Sequence, residues 1–136
     1  MDFEKRLEAL EKSNSELKEE VKFLKFRIGL VASKSHINQI LYEYEVNQTQ
    51  YNAIMDLMDA VRKELDDHRD YNHVTFEQRM KEIFPDRDDP RKDYHFAEDI
   101  AQAFMEDGRW EEVFPALYGD MPKFKCYLEN MKNEGK

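Results

Sequence analysis

The chain has 136 residues, with 21 Lys and Arg against 30 Asp and Glu, a formal charge of −9. Charged residues make up 38% and apolar ones 40%, and no apolar run approaches the roughly 18–20 residues that a membrane span needs, so one modest domain with an appendage and no membrane contact is expected. Four Gly and four Pro speak against a turn-rich β fold, and a single cysteine, Cys126, leaves no internal disulfide and no cysteine-based zinc site.

The opening Met1-Asp2-Phe3-Glu4-Lys5-Arg6 lacks the apolar core of a secretory signal, which predicts a cytoplasmic protein. The charge is unevenly placed. Asp56 to Glu112 holds 18 acids and 9 bases, while the remainder balances at 12 of each. That acidic middle would repel a phosphate backbone, so direct nucleic-acid binding is not expected.

Residues 1–34 carry the clearest pattern. Phe3, Leu10, Leu17, Leu24 and Val31 fall at d positions of a heptad repeat, and Leu7, Asn14, Val21 and Ile28 at a. A 3.5-residue repeat keeps an apolar seam facing a partner helix only when helices supercoil. The polar residues between these positions leave a stripe too narrow for an ordinary core helix. Leu at d with β-branched residues at a favours two parallel strands, and Asn14 at a fixes register by meeting its own copy. Arg6 (g) would face Glu11 (e) of the partner, and Glu20 (g) would face Lys25 (e), both attractively. The reading is a coiled-coil oligomerisation helix, dimer preferred, with a trimer left open. Phe23, Phe26 and Leu30 lie off this seam, which predicts that downstream helices cover them.

Ala32-Ser33-Lys34-Ser35 breaks the helix. Residues 35–132 read as a small multi-helical domain, giving an all-α protein in two parts. Ile37, Ile40, Leu41 and Tyr44 form a short amphipathic stretch. Asn47 caps the next helix with Gln50 reaching back from N3, and its apolar face carries Tyr51, Ile54, Met55, Met58, Val61 and Leu65. That helix is expected to end near His68-Arg69-Asp70. Thr75-Phe76-Glu77-Gln78 reads as a capping box opening a helix that Pro85 stops. Residues 85–92 hold two prolines and no large apolar side chain, and read as a mobile surface loop. Asp93 or a neighbour starts a helix bearing Phe96, Ile100, Ala101, Ala103 and Phe104, and Gly108 stops it. Trp110, Val113, Phe114, Leu117 and Tyr118 form a further face, with Pro115 kinking it or beginning a new turn. Asp120 is expected to cap a last helix burying Met121, Phe124, Leu128 and Met131, with a frayed tail over the last six residues.

This order of motifs resembles the YhaI-like family, small uncharacterised helical proteins of Gram-positive bacteria or their phages. The residues that carry the resemblance are the N-terminal heptads, the capped helix from Asn47 to Leu65, Val74-Thr75-Phe76, and the run from Phe104 to Phe114. Together they span about residues 3–120. The resemblance implies an all-helical oligomer with a long N-terminal helix, and brings no activity, cofactor or catalytic residue. The loop from Asp86 to Lys92 and the C-terminal extension are longer than the family pattern.

Candidate sites are few. His68, His73 and His95 lie among Asp66, Asp67, Asp70, Asp93 and Glu98, but His68 and His73 are five apart, not the i, i+4 spacing that pairs imidazoles on one helical face. Surface histidines are the expectation. Asp86, Asp88 and Asp89 lack the glycine and closing glutamate of a calcium loop. Cys126 has no base beside it, and no phosphate loop, nucleophile elbow or paired-acid motif occurs. No catalytic residue, metal or cofactor is therefore expected, and an enzyme stays a remote alternative. The sequence favours a protein-binding module, a regulator, adaptor or inhibitor, that presents acidic domains to an unidentified protein partner. Trp110, Glu111 and Glu112 with Asp66, Asp67 and Asp70 are its candidate partner surface, an aromatic anchor among acids. The alternative is an acidic DNA mimic that blocks a nucleic-acid-binding protein.

Overall fold

The computed structural model describes residues 2–67 and 70–134, with side chains to Met131. Among the described residues seven α-helices appear in chain order: α1 (Phe3–Ala32), α2 (His36–Glu43), α3 (Gln48–Asp66), α4 (His73–Glu82), α5 (Tyr94–Glu106), α6 (Val113–Tyr118) and α7 (Pro122–Glu134). Among the described residues there is no strand, and no helix is long and apolar enough to cross a membrane. His68, an expected surface histidine, lies outside the described residues.

Local sequence explains most of the boundaries. Asp2 caps α1 by accepting the Glu4 N–H. Ser35 caps α2, and Asn47 with Gln50 forms the reciprocal capping box of α3 that the sequence predicts. Helix α4 starts earlier than expected. Asn72, not the residue before Phe76, is its N-cap and accepts the Thr75 N–H at 3.1 Å. An asparagine carboxamide caps at least as well as a threonine hydroxyl, so Thr75 becomes the third residue of the helix. Pro115 sits in the first turn of α6, where its missing N–H costs no bond. Helix α7 opens on Pro122 at the same kind of position, and runs to Glu134, further than the expected frayed tail.

Helix α5 is the central element. Phe96, Ala97, Ile100, Ala101, Ala103, Phe104 and Met105 are buried along it. Around it close Leu41 from α2, Ile54, Met58 and Val61 from α3, Phe76 and Met80 from α4, and Val113, Phe114 and Tyr118 from α6. Edge-to-face contacts link the rings: Phe84 to Phe96 at 5.4 Å, Tyr44 to Phe96 at 4.8 Å, and Phe114 to Phe124 at 4.9 Å. Helix α1 reaches this body only at its C-terminal end. Leu30 is buried, Phe26 packs against the core, and its ring lies 5.9 Å from that of Tyr51. Two of the three off-seam residues expected to be covered are thus packed on the body, while Phe23 is half-buried and lines an open cleft.

The segment 85–92, read as a mobile loop, is tied down in its second half. Asp89 caps a short 3-10 turn at Pro90–Lys92. The Arg91 guanidinium donates to both Asp89 oxygens, at 2.8 and 2.5 Å, and to Gln50 Oε1 at 3.0 Å, and lies over the Phe84 ring. The same Gln50 oxygen accepts the Asn47 N–H, so one amide joins the α3 cap to the loop.

Candidate functional site

Two surfaces stand out, one apolar and one acidic. The apolar one is the a/d face of α1. Phe3, Leu7, Leu10, Leu17, Val21, Leu24, Ile28 and Val31 are 47 to 78% exposed, and Asn14 is exposed among them. Residues 3–22 touch no other part of the body closely enough to be covered. Helices in proteins draw most of their stability from packing of an apolar face, and along residues 3–22 that face is uncovered.

The body grips α1 on a different face. Phe23 and Leu30 occupy c positions, Phe26 occupies f, and Arg27 occupies g. The Arg27 guanidinium lies 4.1 Å from the Tyr42 ring centre of α2 and 5.4 Å from that of Phe23. One helix thus carries two separate faces: one joined to its own body, the other uncovered.

The acidic surface belongs to the body. A cleft of about 1240 Å³ opens between α1, the α2–α3 corner and the 85–92 segment. Glu19, Glu43, Glu45, Asp86, Asp88 and Asp89 line it with two cations, Lys22 and Arg91. Lys22 is paired with Glu19 at 3.4 Å, and Arg91 is held by Asp89. The Arg91 hydrogen bonds keep the Asp89 carboxyl below the usual carboxylate range, against the effect of its burial. Phe23 and Tyr44 add aromatic surface, and Glu45 turns the corner at φ 54. The lining holds no histidine, cysteine or serine.

The residues singled out around Trp110 lie elsewhere. Gly108 at φ 78 ends α5, and Trp110 itself adopts φ 46. Its ring is half-buried, 4.8 Å from Phe104 and edge-on to it, and its indole N–H donates to Asp59 at 2.9 Å. Arg109 stacks over it at 4.8 Å. Glu112 is bound by the Arg62 guanidinium, which holds its carboxyl below the usual range, while Glu111 is exposed. Asp66, Asp67 and Asp70 are exposed at the end of α3 and just beyond. Trp110 therefore braces α3 against α5 and offers a partner only part of its surface.

The described histidines of the candidate cluster, His73 and His95, have separate surroundings. His73 lies beside the Tyr118 ring at 5.7 Å, and His95 Nδ1 is 3.8 Å from Glu98. Among the described residues no group of three or more His, Cys, Asp and Glu is placed to hold a metal. Cys126 is exposed on α7.

Two polar groupings had no sequence signal. At the α1–α2 break, Asp107 accepts the backbone N–H groups of His36 and Ile37 at 3.0 and 2.8 Å and contacts His36 Nδ1 at 3.0 Å. Glu106 contacts the other ring nitrogen at 3.3 Å and accepts the Tyr127 hydroxyl. The end of α5 thus caps α2 across 71 positions, which no local pattern can reveal. In the core, Glu98 is buried and receives Lys123 on both oxygens at 3.0 Å. Nearby, burial and the charges of Glu77 and Glu98 push the Tyr118 hydroxyl far up, and burial raises the Glu77 carboxyl. The hydroxyls of Tyr71 and Tyr118 are buried without a hydrogen-bond partner among the described residues.

No protein-family model, no curated protein and no solved structure matches the chain.

Proposed function

We propose that the protein is a non-enzymatic homo-oligomeric binding module, a cytoplasmic regulator, adaptor or inhibitor. Its α1 helices zip together through the a/d face, and the acidic bodies are presented in more than one copy to a basic surface of another protein. The observation that carries this reading is the exposure of the whole heptad seam from Phe3 to Val31 while α1 is anchored to its body through other positions. Multivalent display raises avidity without adding contacts to each body. The carboxylates of the cleft and the exposed Asp66, Asp67 and Asp70 supply steering toward a cationic partner. The YhaI-like resemblance agrees with an oligomer of this shape.

The mimicry reading has less support. Arg62 with Glu112, Arg91 with Asp89 and Lys123 with Glu98 interleave cations among the acids, where a phosphate imitation needs an unbroken carboxylate ribbon.

The test is the mass of the full chain by multi-angle light scattering, with and without Leu10→Glu and Leu17→Glu together. The expected result is a whole-number multiple of the 16.4 kDa chain for the wild type and a single-chain mass for the double variant, with the body still folded. A single-chain mass for the wild type across the micromolar range overturns the proposal.

A further inference from the structure

We infer that the a/d face of α1 takes one second copy of this chain, parallel and in register, and that the body itself bars a third. This rests on the oligomeric reading above and specifies its partner, number and direction.

Direction follows from the seam. In a parallel pair Asn14 meets Asn14, so each buried carboxamide finds a hydrogen-bonding partner. In an antiparallel pair it faces apolar residues of the opposite half and stays unsatisfied, at the cost of desolvating an amide. The parallel register also sets Arg6 against Glu11 and Glu20 against Lys25. The remaining basic g residue, Arg27, would meet Ala32 at e and has no acid across the seam. The structure places that guanidinium over Tyr42 of its own α2 instead.

Number follows from what the body covers. A helix in a two-stranded coil faces one neighbour across a and d. In a three-stranded coil it faces two, and a wider arc reaching both flanks is enclosed. Over the last heptad, α2 already lies on the c and g side of α1, with its Tyr42 ring against the Arg27 guanidinium and with Leu30 buried. That flank is closed to a third helix while a and d stay open. The cleft wall of Glu19, Lys22 and Phe23 occupies f, b and c, the outer side of such a coil. The two bodies therefore stand on opposite outer sides, their clefts open to solvent, and the assembly bridges two partner surfaces.

Three measurements on the full chain test this. Sedimentation equilibrium is expected to give about twice 16.4 kDa. Leu10→Cys and Leu24→Cys, each with Cys126→Ser, are expected each to form a covalent dimer with itself on mild oxidation. Failure of both variants to cross-link with themselves marks a pair that is not parallel and in register, and overturns the assignment of direction. Asn14→Ile removes the amide's preference for two strands, and the mass is expected to stay at two chains because α2 still blocks the flank. A threefold mass for this variant overturns the role given to α2. A wild-type trimer overturns the inference and leaves oligomeric display standing, whereas a wild-type monomer removes both.

Discussion

Asp89 and Arg91 show how one ion pair can organise a loop that composition alone marks as free. The Asp89 side chain is 5% exposed and that of Arg91 19%, so solvent screens their attraction weakly. Asp89→Asn is expected to cost about 2 kcal/mol in chemical denaturation, the scale for a hydrogen bond to a charged group, and to speed proteolysis within 85–92. An unchanged midpoint would show that the turn is held by its prolines.

The same pair takes part in the pH response. Arg91 depresses the Asp89 carboxyl, and Arg62 depresses Glu112. Burial alone would raise the Asp107 carboxyl, but the hydrogen bonds from Ile37 and His36 bring it below the ordinary value. Ionisation of these groups favours the fold, so their contribution is complete above the ordinary carboxylate pKa of about 4 and is lost as pH falls through the lower folded values. Burial raises Glu77 and Asp99, the latter also through the Glu98 charge. The fold favours their protonated forms, whose contribution is lost as pH rises through the raised values. The thermal midpoint is therefore expected to rise slightly from pH 7 into the mildly acidic range and to fall below about pH 4. A midpoint still climbing at pH 3 would contradict the depressed carboxyls.

At the scale of elements, α1 differs from the helices of the body. Its first 20 residues extend about 30 Å at 1.5 Å per residue, with their apolar stripe uncovered. In the proposed parallel pair, Asn14→Val would replace the facing amides with apolar contact and is expected to raise the thermal midpoint of the assembled protein. A lower midpoint would place Asn14 off the seam. The α6–α7 junction is constrained for a different reason. A Cβ on Gly119 would stand 2.3 Å from the Pro115 carbonyl oxygen, a backbone atom that cannot swing aside. Gly119→Ala is expected to destabilise the body by about 1–3 kcal/mol, the usual range for overpacking, read by urea denaturation.

For the whole molecule, the proposed oligomer makes assembly and stability one equilibrium. Dissociation then accompanies unfolding of the free half of α1, and the thermal midpoint of that transition depends on concentration. A tenfold increase in protein is expected to raise the apparent stability of a dimer by about 1.4 kcal/mol, measured by calorimetry at two concentrations. A concentration-independent midpoint would show that α1 melts alone.

Elements whose causes are local follow from the order of residues alone. The α1 heptads, the break at Ser33–Ser35, the Asn47–Gln50 box, the Asp93 cap and the Gly108 stop are all set by residues within a few positions of one another, because capping and periodicity act over one or two turns. The beginning of α4 was legible less well, since Asn72 and the residues before Phe76 offer competing caps. Tertiary structure alone decided what depends on distant partners: Asp107 closing α2 from the end of α5, Arg91 holding a loop through an amide of α3, and Trp110 turned onto Asp59. It also decided which helix lies against the off-seam face of α1. The repeat marks an apolar seam, but only packing shows that α2 lies on the c and g flank and leaves that seam exposed, because the choice depends on the shapes of side chains brought together from different helices.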